Sequence, residues 1–163
     1  MKADELTQEL RHPEAQKLLS GSMARLAYNG PDGFPRVIPT GFYWTGDRIV
    51  VSTAPTSPKV NALETRPEVA LTIDTGDTPG DAKALLVRGI ATLTTVDGVT
   101  DEYLASARKA MNGSELAEFE KNVRAVYQQM VRISIEPRWA RFYDFGAGRL
   151  PTFLANLVNK GSG

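Results

Sequence analysis

Arg36-Val37-Ile38-Pro39-Thr40-Gly41-Phe42-Tyr43-Trp44-Thr45-Gly46-Asp47-Arg48-Ile49-Val50-Val51-Ser52-Thr53 reads as two strands joined by a tight turn. β-Branched and aromatic residues fill both arms, and Thr45-Gly46-Asp47 is turn chemistry. Pro39 and Gly41 predict a break or bend near them in the first arm, because proline cannot donate to a strand ladder and glycine marks close backbone approach. The same strand signals recur over residues 22–28, 69–73 and 84–93, where Gly89 predicts a kink. Residues 130–135 and 138–145 are expected as two further strands joined tightly at Glu136-Pro137. Strands therefore arrive in adjacent pairs with few helices between them. That order predicts a mainly β (α+β) fold: an antiparallel barrel of six or seven strands, closed or nearly closed, with peripheral helices.

Helices are expected at the start of the chain, with Pro13 at a first helical position after His12 and Gly21 as a stop. A short helix is expected from Pro58 to the residues before Pro67. Two more are expected within residues 100–127, split at Asn112-Gly113-Ser114, with Tyr103, Leu104, Ala107 and Met111 on one face. A final apolar helix is expected over 151–158. With 163 residues the chain is the length of one domain, read as 1–160, and 161–163 read as a flexible tail or an expression scar.

Composition narrows the chemistry. Lys plus Arg and Asp plus Glu number 19 each, so no basic excess exists to hold a phosphate polymer, and nucleic-acid binding is not expected. No stretch approaches the roughly 18 apolar residues that a spanning helix needs, so no membrane partner is expected. The absence of cysteine removes disulfides, thiolate nucleophiles and sulfur-ligated zinc. His12 is the only histidine, so no metal site is expected. The polar start Met1-Lys2-Ala3-Asp4-Glu5 has no secretory character, which predicts a cytoplasmic protein.

The window from Val51 through Ser52, Thr53, Ser57, Pro58, Lys59 and Asn61 to Leu63 is the most informative for function. A strand ends, hydroxyls crowd a loop, and a helix opens with free N–H groups beside a lysine, a combination suited to a phosphate monoester. Arg36 is expected alongside. The same residues also read as a helix capped by Ser57 with a solvated lysine. Asp74-Thr75-Gly76 matches the tripeptide of aspartic proteases, but a strand-ending loop explains it better. His12 reads as a helix-boundary residue and, in a haem-binding variant, as the one available axial ligand. The aromatic residues, Trp44 and Trp139 among them, read as core or interface.

From about residue 13 to 145 the chain resembles the pyridoxamine 5'-phosphate oxidase-like superfamily. The specific part runs from the Arg36 strand through Thr53, Ser57, Lys59, Asn61 and Leu63 to Arg66-Pro67-Glu68-Val69-Ala70-Leu71. The resemblance implies a split barrel and a homodimer with FMN, or an 8-hydroxy-5-deazaflavin coenzyme, at the subunit interface. It implies that Arg36, Val37, Ile38, Pro39 and Thr40 run beside the ring and ribityl chain, and that Ser52, Thr53, Ser57 and Lys59 hold the phosphate. Backbone N–H groups of Val51, Ser52 and Thr53 would face the pyrimidine edge, and Trp139 and Arg141 would reach the partner's cofactor. Arg25, Arg48 and Arg66 are the candidates for the longer acidic tail of a deazaflavin. Two departures stand out: Gly41 lies where the family's oxidases carry a basic residue, and their C-terminal motif with Arg and His is absent. The implied activity is therefore hydride transfer with a small organic substrate other than the vitamin, with no protein nucleophile; a non-catalytic flavin- or haem-binding module is the alternative.

Overall fold

The computed structural model describes residues 1–160, so the expectation for 161–163 lies outside the described residues. The chain runs α1 (Ala3–Arg11), α2 (Pro13–Leu19), β1 (Met23–Asn29), β2 (Pro35–Gly41), β3 (Tyr43–Trp44), β4 (Ile49–Thr53), α3 (Pro58–Thr65), β5 (Glu68–Thr75), β6 (Lys83–Asp97), α4 (Asp101–Ala110), α5 (Gly113–Val126), β7 (Gln129–Asp144) and α6 (Thr152–Lys160). The strands form one seven-stranded sheet in the order β2-β1-β5-β6-β7-β4-β3, and every pairing is antiparallel. It curls into a split barrel but does not close by hydrogen bonds: β2 and β3 are its two edges.

Burial follows the period of two. On β1, Ala24, Leu26 and Tyr28 point inward while Met23 and Arg25 face out. Leu26, Ile49, Leu85, Ile133, Ile135, Phe42 and Phe142 are almost fully buried in the barrel interior, each such side chain stabilising the fold by about 1.5–3 kcal/mol. A smaller core of Val99, Leu104, Val123 and Met130 lies under α4 and α5.

One expectation is corrected and another is located. Glu136-Pro137 is not a turn: β7 continues through it for 16 residues. The register against β6 shifts at Arg88/Gly89, where Arg88 pairs with Trp139 but Gly89 with Pro137, leaving Arg138 as the extra residue of a bulge. The interruption expected near Pro39 and Gly41 is present: β2 ends at Gly41, while Pro39 itself is tolerated within β2 because that edge strand has no second ladder to satisfy. The break falls at Phe42, directly after Gly41 and between β2 and β3, where the side chain turns into the core.

The amino-terminal helices are bolted to the barrel by charge. Glu9 Oε2 accepts a hydrogen bond from Phe142 N at 2.8 Å, and its Oε1 accepts from Arg149 Nη2 at 2.8 Å and Arg141 Nη1 at 3.3 Å. Glu14, on α2, pairs with Lys17 and with Lys83 of β6. Hydrogen bonds from Lys17 and then Lys83 hold its carboxyl down at about 2 against an ordinary 4.5. A depressed carboxyl stabilises the fold above its unfolded value and loses that contribution as pH falls through the folded one. Urea midpoints of Glu14→Gln are therefore expected to fall less steeply than those of the parent between about pH 4.5 and 2. Parallel acid limbs for the two proteins would remove Glu14 from the account.

Candidate functional site

β4 carries its inward residues Ile49 and Val51 into the core and turns Val50 and Ser52 toward α4. Val51 is fully buried, backbone included, so it presents no accessible atom to a ligand. Ser52 shares a hydroxyl hydrogen bond with Thr100, the buried N-cap of α4, whose Oγ1 also accepts from Tyr103 N at 3.2 Å. Thr100 is a residue the sequence reading passed over, although a threonine directly before Asp101-Glu102 is an N-cap signal. Across the ladder, Arg132 pairs with Glu102 at 3.0 Å, and its buried Nε has no hydrogen-bond partner. Thr53, half-buried, ends the strand.

Ser57 stands at the N-cap of α3 with extended backbone, but its side chain makes no capping hydrogen bond. Its Oγ accepts instead from Lys59 Nζ at 3.0 Å. Lys59 is half-buried, burial pushes its ammonium below the ordinary lysine value, and no carboxylate pairs with it among the described residues. Pro58 and Asn61 lie exposed on the first turns of the same helix. Pro58 offers no N–H and Val60 N donates to Ser57 O at 3.0 Å, so what the helix start presents to an anion is the desolvated Lys59 cation and the Ser57 hydroxyl.

Arg36 does not join this cradle. Its Nη2 donates to Asp32 at 2.8 Å and its Nη1 to Phe34 O at 2.9 Å, within the turn between β1 and β2. Its guanidinium covers Gly30, the residue whose carbonyl accepts from Arg66. Arg66 closes the end of α3 opposite Lys59, about 10 Å along the axis. On the rest of β2, Val37 and Pro39 are exposed on the outer face, Ile38 packs against the core, and Thr40 donates to Gly41 O. Trp139 and Arg141 lie on the outer face of β7; Arg88 sits 4.4 Å over the Trp139 ring, and Arg141 is paired with Glu9.

The remaining candidates have structural partners. Asp74 pairs with Arg25 at the end of β5, where Gly76 turns with φ of 100° against the backbone of Asp81. His12 Nδ1 accepts from Glu14 N at 3.2 Å, and its ring stacks on Phe142 at 4.7 Å, so it caps α2. Arg48 pairs with Glu136 at 3.4 Å. No group of three or more potential metal ligands occurs among the described residues.

Fold and site together define a split-barrel protein with a half-buried lysine, unpaired with any carboxylate among the described residues, at the β4–α3 junction. The sequence profile of pyridoxamine 5'-phosphate oxidase matches residues 12–143, and the chain belongs to that family. No curated protein matches it. Among solved structures it is similar to an F420 reductase, 23% identical over 77% of this chain and 94% of that one with a TM-score of 0.58. A conserved hypothetical protein of Mycobacterium tuberculosis is 21% identical over 93% and 89% of the two chains, with a TM-score of 0.64. The haem storage protein HutZ of Vibrio cholerae is 17% identical over 82% and 93%, with a TM-score of 0.56. At these identities the likeness is one of fold.

Proposed function

We propose that the protein binds FMN and acts as an oxidoreductase on a small organic molecule. The observation that carries this reading is Lys59: a half-buried cation with Ser57 as its hydrogen-bond partner and no carboxylate partner. An unneutralised buried charge costs stability unless a counter-charge joins it, and a phosphate dianion supplies one. The Ser57 hydroxyl and the Lys59 ammonium would hold the phosphate. The backbone of Ser52 and Thr53 and the 36–40 strip would border the ring. FMN, when bound, supplies the hydride chemistry; the chain's own task is to orient, neutralise and exclude water.

The shorter cofactor is favoured over a deazaflavin because Arg25, Arg48 and Arg66 are already engaged with Asp74, Glu136 and Gly30 O. A haem module is disfavoured because His12 is spent on the α2 cap. Parallel titrations with FMN, deazaflavin and haem test this; FMN is expected to bind most tightly and to be reduced and reoxidised with turnover. Preference for either rival, or binding without turnover, would overturn the reading.

The homodimer is part of the same proposal. The outer face of β2 and β1 leaves Val37 and Met23 66% and 59% exposed beside Ala27 and Pro39, with Arg25 between them paired to Asp74, a mixed surface with an apolar part suited to a second copy. Val37→Glu is expected to shift sedimentation from dimer to monomer. An unchanged dimer would move the interface elsewhere.

A further inference from the structure

Beside the small core that seats α4 and α5 on the barrel, a cavity of about 230 Å³ lies between these helices and the ends of β1, β2 and β4. Phe42 and Val50 form its strand wall, and Tyr103, Ala107 and Phe119 its helix wall. Tyr103 and Phe119 are stacked with centroids 6.1 Å apart, which gives that wall a flat aromatic panel. At Gly41 a side chain is missing where one would point into the space, since an added Cβ would meet only Ser22 O at 3.7 Å and Ser106 Oγ at 3.8 Å.

Charge and polarity define the occupant. Glu102, the one charged residue on the lining, is neutralised by Arg132. Lys109 lies outside, 4.8 Å over the Tyr43 ring, donating to Gly21 O at 3.0 Å. The hydroxyls of Ser22, Ser106 and Tyr103 make no hydrogen bond within the protein among the described residues, although all three residues line the space. An apolar, aromatic cavity with unpaired hydroxyls selects a neutral ring with hydrogen-bonding oxygens. Size agrees: a dry cavity of about 150 Å³ takes benzene, so this one has room for a substituted ring or two fused rings, and pockets for larger ligands start at about 300 Å³. Of the residues expected to contact the cofactor, only Ser52 borders it.

We propose that this cavity binds a neutral one- or two-ring aromatic or quinonoid molecule bearing hydrogen-bonding oxygen, next to the cofactor strip but separate from it. The binding stands on the cavity alone; that the molecule is the reacting substrate rests on the flavin reading above.

The test is a calorimetric titration of 1-naphthol into the full chain, with and without saturating FMN. Single-site binding is expected in both cases. Ala107→Phe, whose ring fills the space, is expected to abolish it with FMN affinity unchanged. Gly41→Val repeats the block from the strand side should the helix variant fold poorly. Ser106→Ala is expected to weaken naphthol about threefold to tenfold, the loss of one neutral hydrogen bond, while Lys59→Ala leaves it unchanged. Absent naphthol binding, binding that survives both blocking variants, or displacement by FMN would overturn the inference. Naphthol bound normally by a chain that takes no FMN would sink the flavin reading and leave the cavity assignment standing.

Discussion

Lys59→Ala is expected to weaken FMN binding by about 1.5–3 kcal/mol, or about 10- to 100-fold in Kd, the size of a charge-assisted hydrogen bond to phosphate. The native ammonium is partly stripped of water and has only the Ser57 hydroxyl as a partner, so a phosphate gains a cation already held in place. Arg36→Ala is expected to cost less, because that guanidinium is occupied by Asp32 and Phe34 O and would have to leave them. Fluorescence titration of the two variants ranks them. Equal losses, or a larger loss for Arg36, would place the phosphate at the other end of α3.

The largest expected effect on stability comes from Gly89→Ala. A Cβ there would lie 2.5 Å from Glu136 O and 2.8 Å from Ile135 Cγ2, both on the neighbouring strand. The long β6–β7 pair would have to part at its bulge, next to the buried Pro137. Forced overpacking of this kind costs about 2–3 kcal/mol. The urea midpoint is expected to fall with the slope unchanged; a midpoint equal to the parent's would mean that the bulge yields freely.

Much of the barrel was legible because its strands alternate at period two and its turns carry glycine, asparagine and aspartate. What misled was proline. Pro137 breaks a strand pattern in the same way whether it ends a strand or sits in a bulge, and only the partner residue Gly89 on β6 decides between them. Pro39 carries the same ambiguity, resolved by the position of β2 at the edge. Around the site, the β4–loop–α3 junction follows from Ser57-Pro58-Lys59, but the partners of long side chains do not. Arg36 is captured by Asp32, four residues away in its own turn. The Ser57 hydroxyl serves Lys59 rather than the helix cap. The cavity was hidden for a related reason: Tyr103, Leu104, Ala107 and Met111 read as one face, yet Leu104 enters the small core while the other three border open space.

The unclosed margin at β2 has its own outcome for how such a chain tolerates substitution. Alternate amides and carbonyls there lack a neighbouring strand, and Pro39 subtracts one donor from the row. A flat heterocycle laid along that rim would be gripped by main-chain groups, which every amino acid supplies. Side-chain substitutions from Arg36 to Thr40 would then leave that grip in place.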